Sequence, residues 1–332
     1  MAHHRAHAPP PFRRGRGSAR SAADGRSCKI RAACERGLLN HIRVISPGLL
    51  TTVQDLGRPG YAHLGISASG AADALCLRAG NLLVGNAEGA PALEMTLAGG
   101  TFEFESRAII ALTGAEFEAS IPMWMAVWVR PGQQVRCGHA RSGARCYLCV
   151  NGGIDVPLVL GSASTHLLTG LGGFEGRALK RDDVLALGPA HRTSTRQRTA
   201  ALRGQSGSPA VLHVTAPASA YALCGSTWEV KEDSDRMGLR LHGPALDRHT
   251  GHMLTEGVPL GAVQVPPDGQ PIILFVEHQT TGGYPKIANV ISADFSAVGQ
   301  LRPRDQVRFE QVSIDAALTL LEAQEEWLHT LV

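Results

Sequence analysis

Hydrophobic and polar residues alternate in several short stretches of the chain, and turn-forming residues separate these stretches. Within Thr101–Leu112, two phenylalanines alternate with two glutamates, a period of two that is typical of a half-buried strand. Turn formers such as Pro131-Gly132 and Asn151-Gly152-Gly153 separate further predicted strands. These strands cover Ala126–Arg130, Gln134–Cys137, Arg145–Val150, Val211–Thr215, Thr227–Val230, Ala262–Val265, Ile272–Val276 and Gln306–Phe309.

A period near 3.6 residues predicts two helices. The first, Ala71–Val84, places its aliphatic residues on one face, and Gly85-Asn86 can end it. It is expected to cap a sheet. The second begins at the N-cap candidate Ser313 and has an apolar face formed by Ile314, Ala317, Leu318, Leu321 and Leu328. Many short strands and two helices predict a mainly β chain with a few helices, of the α+β class.

Composition supports this fold class. The chain has 332 residues, of which 44% are hydrophobic, enough to build a core without disulfides. Its 38 glycines and 19 prolines, with only 5% aromatic residues, indicate tight turns between short strands. Seven cysteines without regular spacing favour a reducing compartment, and we expect a cytoplasmic protein. Cys146 and Cys149 lie three residues apart on a predicted strand, so they should face opposite sides as small buried residues.

Charge divides the chain unevenly. Residues 1–40 contain nine Lys or Arg and only two acidic residues, whereas the whole chain carries a net charge of +3. The remainder is therefore slightly acidic, which argues against a nucleic-acid-binding face. We expect a disordered basic extension at 1–40, a β-rich subdomain at 41–188, a polar linker at 189–210 and a second β-rich subdomain at 211–332. No apolar run approaches the length of a membrane helix.

Common catalytic motifs are absent. The sequence contains no G-x-x-x-x-G-K-[ST] loop, no H-E-x-x-H, no G-x-S-x-G and no lysine flanked by methionines, the pattern of a biotin attachment site. The densest polar cluster instead follows the predicted strand Ile272–Val276. It is the octapeptide Gln279-Thr280-Thr281-Gly282-Gly283-Tyr284-Pro285-Lys286. Its glycines allow close backbone approach and its lysine supplies a point charge, so it suits a phosphate or carboxylate. Composition equally allows an ordinary surface turn.

Two further clusters carry polar groups. In Ser234–Gly238, the neighbours Asp235 and Arg236 should face different partners, and structural ion pairs are the default for them. In Gln264–Gln270, the sequence Pro267-Asp268-Gly269 is typical of a hairpin turn.

Eight stretches of the chain carry long motifs: Pro47–Asp73, Asn81–Asn86, Ala111–Phe117, Asn151–Thr165, Gly170–Asp183, Ser234–Pro244, Glu256–Ile272 and Gln279–Asp294. Together they resemble the family that includes the C subunit of 5-oxoprolinase, allophanate hydrolase subunit 2 and one half of the urea carboxylase carboxyltransferase domain. Two places depart from the family pattern: Ile121–Trp124 replaces a polar, glycine-containing turn, and Glu277-His278 stands where an acidic-arginine pair is usual.

This resemblance implies a cyclophilin-like β-barrel architecture and pairing with two partners, a B subunit of related fold and an A subunit. It implies an ATP-dependent 5-oxoprolinase that opens 5-oxoproline to glutamate and is active only in a complex. One alternative is a biotin-dependent carboxyltransferase acting on urea or another small amide, with biotin on a separate carrier. Another is a non-catalytic protein that antagonises a kinase inhibitor.

Lactam opening needs cations and N–H donors where charge develops. We therefore predict Lys286 and Arg236 as catalytic residues, with Asp235 as an orienting carboxylate, and no metal site. The predicted substrate- or phosphate-binding residues are Gln279, Thr280, Thr281, Gly282, Gly283, Tyr284, Gln264, Asp268 and Asp73.

Overall fold

Short strands dominate the computed structural model, which describes residues 40–191, 209–217, 220–246 and 254–331. Its α-helices are α1 (Ala74–Val84), α2 (Tyr221–Cys224), α3 (Phe295–Gln300) and α4 (Ile314–His329). The strands before residue 191 are β1 (His41–Ser46), β2 (Leu50–Gln54), β3 (Ala92–Thr96), β4 (Thr101–Phe104), β5 (Ala108–Ala119), β6 (Val127–Val129), β7 (Gln134–Val150), β8 (Ile154–Asp155) and β9 (Val184–Leu187). Those after residue 209 are β10 (Ala210–Thr215), β11 (Thr227–Val230), β12 (Gly238–His242), β13 (Glu256–Gly257), β14 (Ala262–Gln264), β15 (Ile272–Leu274), β16 (Thr281–Gly282), β17 (Lys286–Val290) and β18 (Gln306–Gln311).

The first nine strands form one sheet, here called the N-terminal sheet. Its main path runs β2-β3-β7-β4-β1-β9-β8, and β5 pairs with β7 and β6. Alternation in β4 is confirmed, since Phe102 and Phe104 are fully buried and Glu103 is not. The single strand predicted over Thr101–Leu112 is wrong, because the chain bends at residues 105–106 before β5 begins.

Strand β7 joins two segments predicted as separate strands. Residues 138–144 between them are small or polar, yet β5 continues to pair with this part of β7 through a series of register shifts. Backbone pairing therefore extends the strand where the hydrophobic pattern lapses. The prediction that Cys146 and Cys149 are buried on opposite sides of their strand is confirmed. Cys146 packs in one core cluster of the N-terminal sheet, and Cys149 packs in a different cluster together with helix α1.

Helix α1 covers the N-terminal sheet at β5 and β7, as predicted. It packs Leu77 and Ala79 with Ala111 and Cys149. It begins at residue 74 and not at 71, because the Asp73 side chain accepts a hydrogen bond from the Cys76 backbone N–H (3.0 Å) and acts as the N-cap. Its end at a left-handed Gly85 agrees with the prediction.

Seven strands after residue 209 form a closed barrel in the order β10-β17-β14-β15-β12-β11-β18, with β10 and β18 parallel. Trp228, Phe275 and Phe309 lie in its core. This arrangement confirms the mainly β, barrel-containing fold. The short pair β13-β16 lies outside the barrel ladder.

Helix α4 begins as predicted, because the Ser313 hydroxyl accepts a hydrogen bond from the Ala316 backbone N–H (3.2 Å). Its predicted apolar face is only partly packed. Leu328 is buried, whereas Ile314 and Leu318 are 69% and 52% exposed. The helix is attached near its end, where Glu325 forms a bidentate pair with Arg78 of α1 (2.6 Å for both bonds).

All but the last residue of the predicted extension (1–40) and most of the predicted linker (189–210) lie outside the described residues. The described residues belong to one compact unit by backbone contacts, so the boundary between two subdomains stays a prediction. Among the described residues, no helix is long and apolar enough to cross a membrane.

Candidate functional site

The predicted polar octapeptide forms a loop against the short strand β13. Its residues Thr281 and Gly282 form β16, paired with Glu256 and Gly257. Tyr284 at its tip is 45% exposed. The loop is therefore held at one end by backbone pairing and remains open to solvent at its tip.

Lys286 and Gln264 are partners in the β14–β17 ladder, which places them beside each other. Lys286 Nζ lies 2.8 Å from Glu256 Oε1 and donates to the Gly257 carbonyl oxygen at 3.0 Å. The predicted catalytic lysine therefore ties the loop to β13.

Gln264 is buried below this loop, with 1% of its surface exposed. Its Oε1 accepts a hydrogen bond from Gln279 Nε2 at 3.2 Å. Its own Nε2 has no hydrogen-bond partner within the described residues and is packed against Gly282, where an added Cβ would lie 2.7 Å from it. A side chain at position 282 would therefore displace the Gln264 amide. We call Gln264, Gln279, Gly282, Lys286 and Glu256 the loop cluster.

Arg236 lies between the N-terminal sheet and the barrel. Its Nη1 donates to Glu94 Oε1 (2.6 Å), its Nε to Glu277 Oε1 (2.5 Å) and its Nη2 to the Gly70 carbonyl oxygen (2.5 Å). Burial alone would lower its pKa, but Glu94 and Glu277 raise it above the ordinary arginine value, so Arg236 stays a cation. The two carboxylates are buried and come from opposite sides of the junction.

Glu94 extends this network into the N-terminal sheet. Its Oε2 accepts hydrogen bonds from Tyr147 Oη (2.7 Å) and the Ala72 backbone N–H (2.8 Å). The Asp73 backbone N–H donates to Tyr147 Oη (2.8 Å). Burial raises the pKa of the Asp73 carboxyl above its ordinary value. The predicted binding residue Asp73 therefore lies beside the network as a buried helix cap.

Two predicted site residues lie in local turns. Asp235 is exposed, and its Oδ1 accepts from the backbone N–H groups of Met237 (2.8 Å) and Gly238 (3.2 Å). Asp268 is also exposed and accepts from the Gln270 N–H (3.0 Å) in the predicted hairpin turn. Both carboxylates therefore serve as turn caps. Asp235 and its neighbour Arg236 do serve different partners.

His166 was missed by the sequence analysis. It opens a tight hairpin through mutual backbone hydrogen bonds with Leu171, and its Nε2 lies 4.0 Å from Glu277 Oε2. Ser69, whose Oγ donates to Glu277 Oε1 at 3.4 Å, has a left-handed backbone (φ 57°), a conformation that non-glycine residues adopt mainly at strained sites. We call Arg236, Glu94, Glu277, His166 and Ser69 the junction cluster.

Arg58 lies near this cluster and is 2% exposed. Its Nη2 donates to the Ser164 carbonyl oxygen, while Nη1 has no hydrogen-bond partner among the described residues. Burial lowers the pKa of Arg58, and the charges of Asp55 and Glu277 oppose this shift. The only sequence signal for Arg58, Ser69 and His166 was their place in or next to the stretches that resemble the family.

No group of three or more His, Cys, Asp or Glu residues in the described parts of the chain is arranged to hold a metal ion. Arg236 and Lys286, the cations of the two clusters, are already paired with carboxylates and carbonyl oxygens, and the nearby Arg58 keeps only Nη1 without a partner among the described residues. A triphosphate needs several free cationic donors at once. The two clusters therefore do not fit ATP.

The fold and these motifs define a class of protein. Residues 64–311 match the model of the carboxyltransferase domain, subdomain A and B. The chain belongs to this family.

Within the family, the chain is 42% identical to the C subunit of 5-oxoprolinase from Escherichia coli, over 87% of this chain and 97% of that protein. It is 41% identical to the C subunit of 5-oxoprolinase from Haemophilus influenzae, over 83% and 93% of the two chains. A crystal structure of the K. lactis urea amidolyase superposes with a TM-score of 0.81 at 30% identity, covering 88% of this chain and 20% of that one. The predicted family and fold are thereby confirmed.

Proposed function

We propose that this chain is the C subunit of an ATP-dependent 5-oxoprolinase that opens 5-oxoproline to glutamate together with the A and B subunits. The observation that carries the proposal is the match to the C subunit of 5-oxoprolinase over 97% of the Escherichia coli protein. The matched urea amidolyases are much longer, and this chain spans 17–18% of them.

The chain's own contribution would be to bind and polarise the lactam. The junction cluster supplies a fixed cation, a carboxylate and an imidazole at one place. Such preorganised groups stabilise developing charge without reorganising during the reaction. ATP would supply the activation of the carbonyl oxygen, and since neither cluster fits a triphosphate, we assign ATP binding to one of the partner proteins. We therefore expect the isolated cytoplasmic chain to be inactive.

Lys286 and Arg236 remain our candidates for groups that stabilise charge in the reaction. Their present partners, Glu256 for the lysine and two glutamates for the arginine, allow a second role as organisers of the loop and the junction. Either role would support substrate binding at the junction cluster.

The test is reconstitution with co-expressed A and B subunits, followed by measurement of glutamate formation from 5-oxoproline with and without ATP. The proposal expects product only when all three proteins and ATP are present. Omitting each protein in turn is the control. Absence of product from the full complex would contradict the proposal.

A biotin-dependent carboxyltransferase is the second candidate, favoured by the close superposition on urea amidolyase. It predicts transfer of a carboxyl group from carboxybiotin to urea or another small amide, which the same preparation can be assayed for. A regulatory protein would show no turnover in either assay.

A further inference from the structure

Two polar atoms face each other across the junction without bonding. His166 Nε2 and Glu277 Oε2 are 4.0 Å apart, beyond hydrogen-bond distance, and the two side chains keep 9% and 6% of their surface open. Neither atom has a hydrogen-bond partner within the described part of the chain, and Glu277 also lies near the charge of Arg58. A gap between two such groups is suited to a third group that pairs with both.

The proton position on His166 follows from its neighbour. The Thr169 backbone N–H, which can only donate, points to His166 Nδ1 at 3.3 Å, and the Thr169 hydroxyl lies 2.7 Å from the same atom. Nδ1 therefore accepts, and the ring proton lies on Nε2. His166 thus directs an N–H donor towards the gap.

Glu277 directs an acceptor towards the same gap. Its Oε1 accepts from Arg236 Nε at 2.5 Å and lies 3.4 Å from Ser69 Oγ, whose single proton can also go to the Thr165 carbonyl oxygen at 3.3 Å. These bonds fix the orientation of the carboxylate and leave the lone pairs of Oε2 open. The junction therefore presents one donor, His166 Nε2–H, and one acceptor, Glu277 Oε2, next to each other.

We propose that His166 Nε2–H and Glu277 Oε2 bind the cis-amide edge of a small lactam or cyclic ureido group, an inference that takes its substrate class from the proposed function. The donor pairs with the carbonyl oxygen and the acceptor pairs with the adjacent ring N–H. In a cyclic amide these two atoms are about 2.3 Å apart on one side, given C=O and C–N bonds of about 1.23 and 1.33 Å. Two slightly diverging hydrogen bonds then reach atoms 4.0 Å apart.

The geometry selects against other amides. An open-chain trans amide presents its N–H and C=O on opposite sides and satisfies only one of the two groups. An N-methylated lactam lacks the donor and leaves Glu277 Oε2 desolvated without a partner. Sites that are built to pair with a polar hydrogen strongly reject analogues that lack this hydrogen.

The ligands themselves provide the first test. Binding of 2-pyrrolidinone, N-methyl-2-pyrrolidinone and N-methylacetamide is measured by ligand-observed NMR, with the full chain and with the co-expressed complex. We expect 2-pyrrolidinone to bind at least tenfold more tightly than the other two. Equal binding of the three, or no binding of 2-pyrrolidinone to either preparation, would overturn the inference. Competition by 5-oxoproline or by biotin then shows whether the site prefers a lactam or a cyclic ureido group.

Variants provide the second test. His166→Gln retains an N–H donor and should keep measurable binding, whereas His166→Leu should lose the tenfold preference for 2-pyrrolidinone. The matched control is His139→Leu, at an exposed histidine of the N-terminal sheet, which should leave the preference unchanged. Melting temperatures are recorded for all three variants. Unchanged preference in a folded His166→Leu protein would contradict the proposal.

The outcomes separate this inference from the proposed function. If the complex turns over 5-oxoproline but His166→Leu turns it over normally, the recognition pair is wrong and the function stands. If the wild-type complex is inactive but discriminates 2-pyrrolidinone from its N-methyl analogue, the function is wrong and the recognition pair stands.

Discussion

Replacing Arg236 by methionine removes the only cation bonded directly to two carboxylates in the described part of the junction. Methionine keeps an unbranched apolar stem of similar reach, so the change removes mainly the charge and its hydrogen bonds. The variant leaves Glu94 and Glu277, which are 3% and 6% exposed, without their shared partner. Removing one member of a buried ion pair typically costs about 3–5 kcal/mol. We expect a loss of unfolding free energy in this range.

The assay is urea unfolding followed by tryptophan fluorescence, to which the buried Trp228 contributes, with the slope of the transition checked for each variant. Arg304→Met is the control, because the Arg304–Glu232 pair is 77% and 68% exposed and should contribute less than about 1 kcal/mol.

A second comparison isolates the charge effect. Adding Glu94→Gln and Glu277→Gln to Arg236→Met removes the two orphaned charges and should restore part of the lost stability. A loss below about 1 kcal/mol in Arg236→Met, or a triple variant that is less stable still, would show that the carboxylates do not depend on Arg236.

Three further predictions follow from single positions. Lys286→Ala should lower turnover of the assembled complex about a hundredfold, whereas Lys286→Arg should retain part of it; normal turnover in Lys286→Ala would remove the lysine from the mechanism. Gly299→Ala should destabilise the chain, because the new Cβ would overlap the Ala72 carbonyl oxygen, whereas Gly257→Ala has open space and should change the melting temperature little. Asp73 has a raised pKa, so the native state retains its proton to higher pH than the unfolded state, and its contribution to stability falls as pH rises above about 4. Asp73→Asn should therefore weaken the fall of the urea midpoint with rising pH above about 4, and an unchanged pH dependence would contradict this.

Local sequence patterns predicted those strands and helix ends that are determined by neighbouring residues. The alternation of Phe102 and Phe104 and the Ser313 N-cap are both determined within a few residues, and both are confirmed. The continuity of β7 depends instead on its pairing with β5, and the exposure of Ile314 and Leu318 on α4 depends on which surface the helix meets. Neither is contained in the periodicity of the segment itself.

The same division applies to the two clusters. The loop cluster was found because its glycines, threonines and lysine are contiguous in the sequence. The junction cluster takes its members from positions 69, 94, 166, 236 and 277, and no local pattern brings them together. The sequence identified Arg236 as a charged residue in the polar cluster Ser234–Gly238, but its two glutamate partners could be identified only from the structure.

The departure from the family pattern at His278 has a structural consequence. Where an arginine is usual, this chain has a half-buried imidazole whose pKa is lowered by burial, and its Nδ1 lies 2.7 Å from the Gln279 carbonyl oxygen. At neutral pH this position therefore supplies no positive charge next to Glu277. The charge of Glu277 is instead balanced by Arg236, reached through the fold from 41 residues earlier in the chain. Because Arg236 Nε and the Ser69 hydroxyl both approach Oε1 of Glu277, Oε2 has no hydrogen-bond partner within the described residues and stays available to the proposed recognition pair with His166.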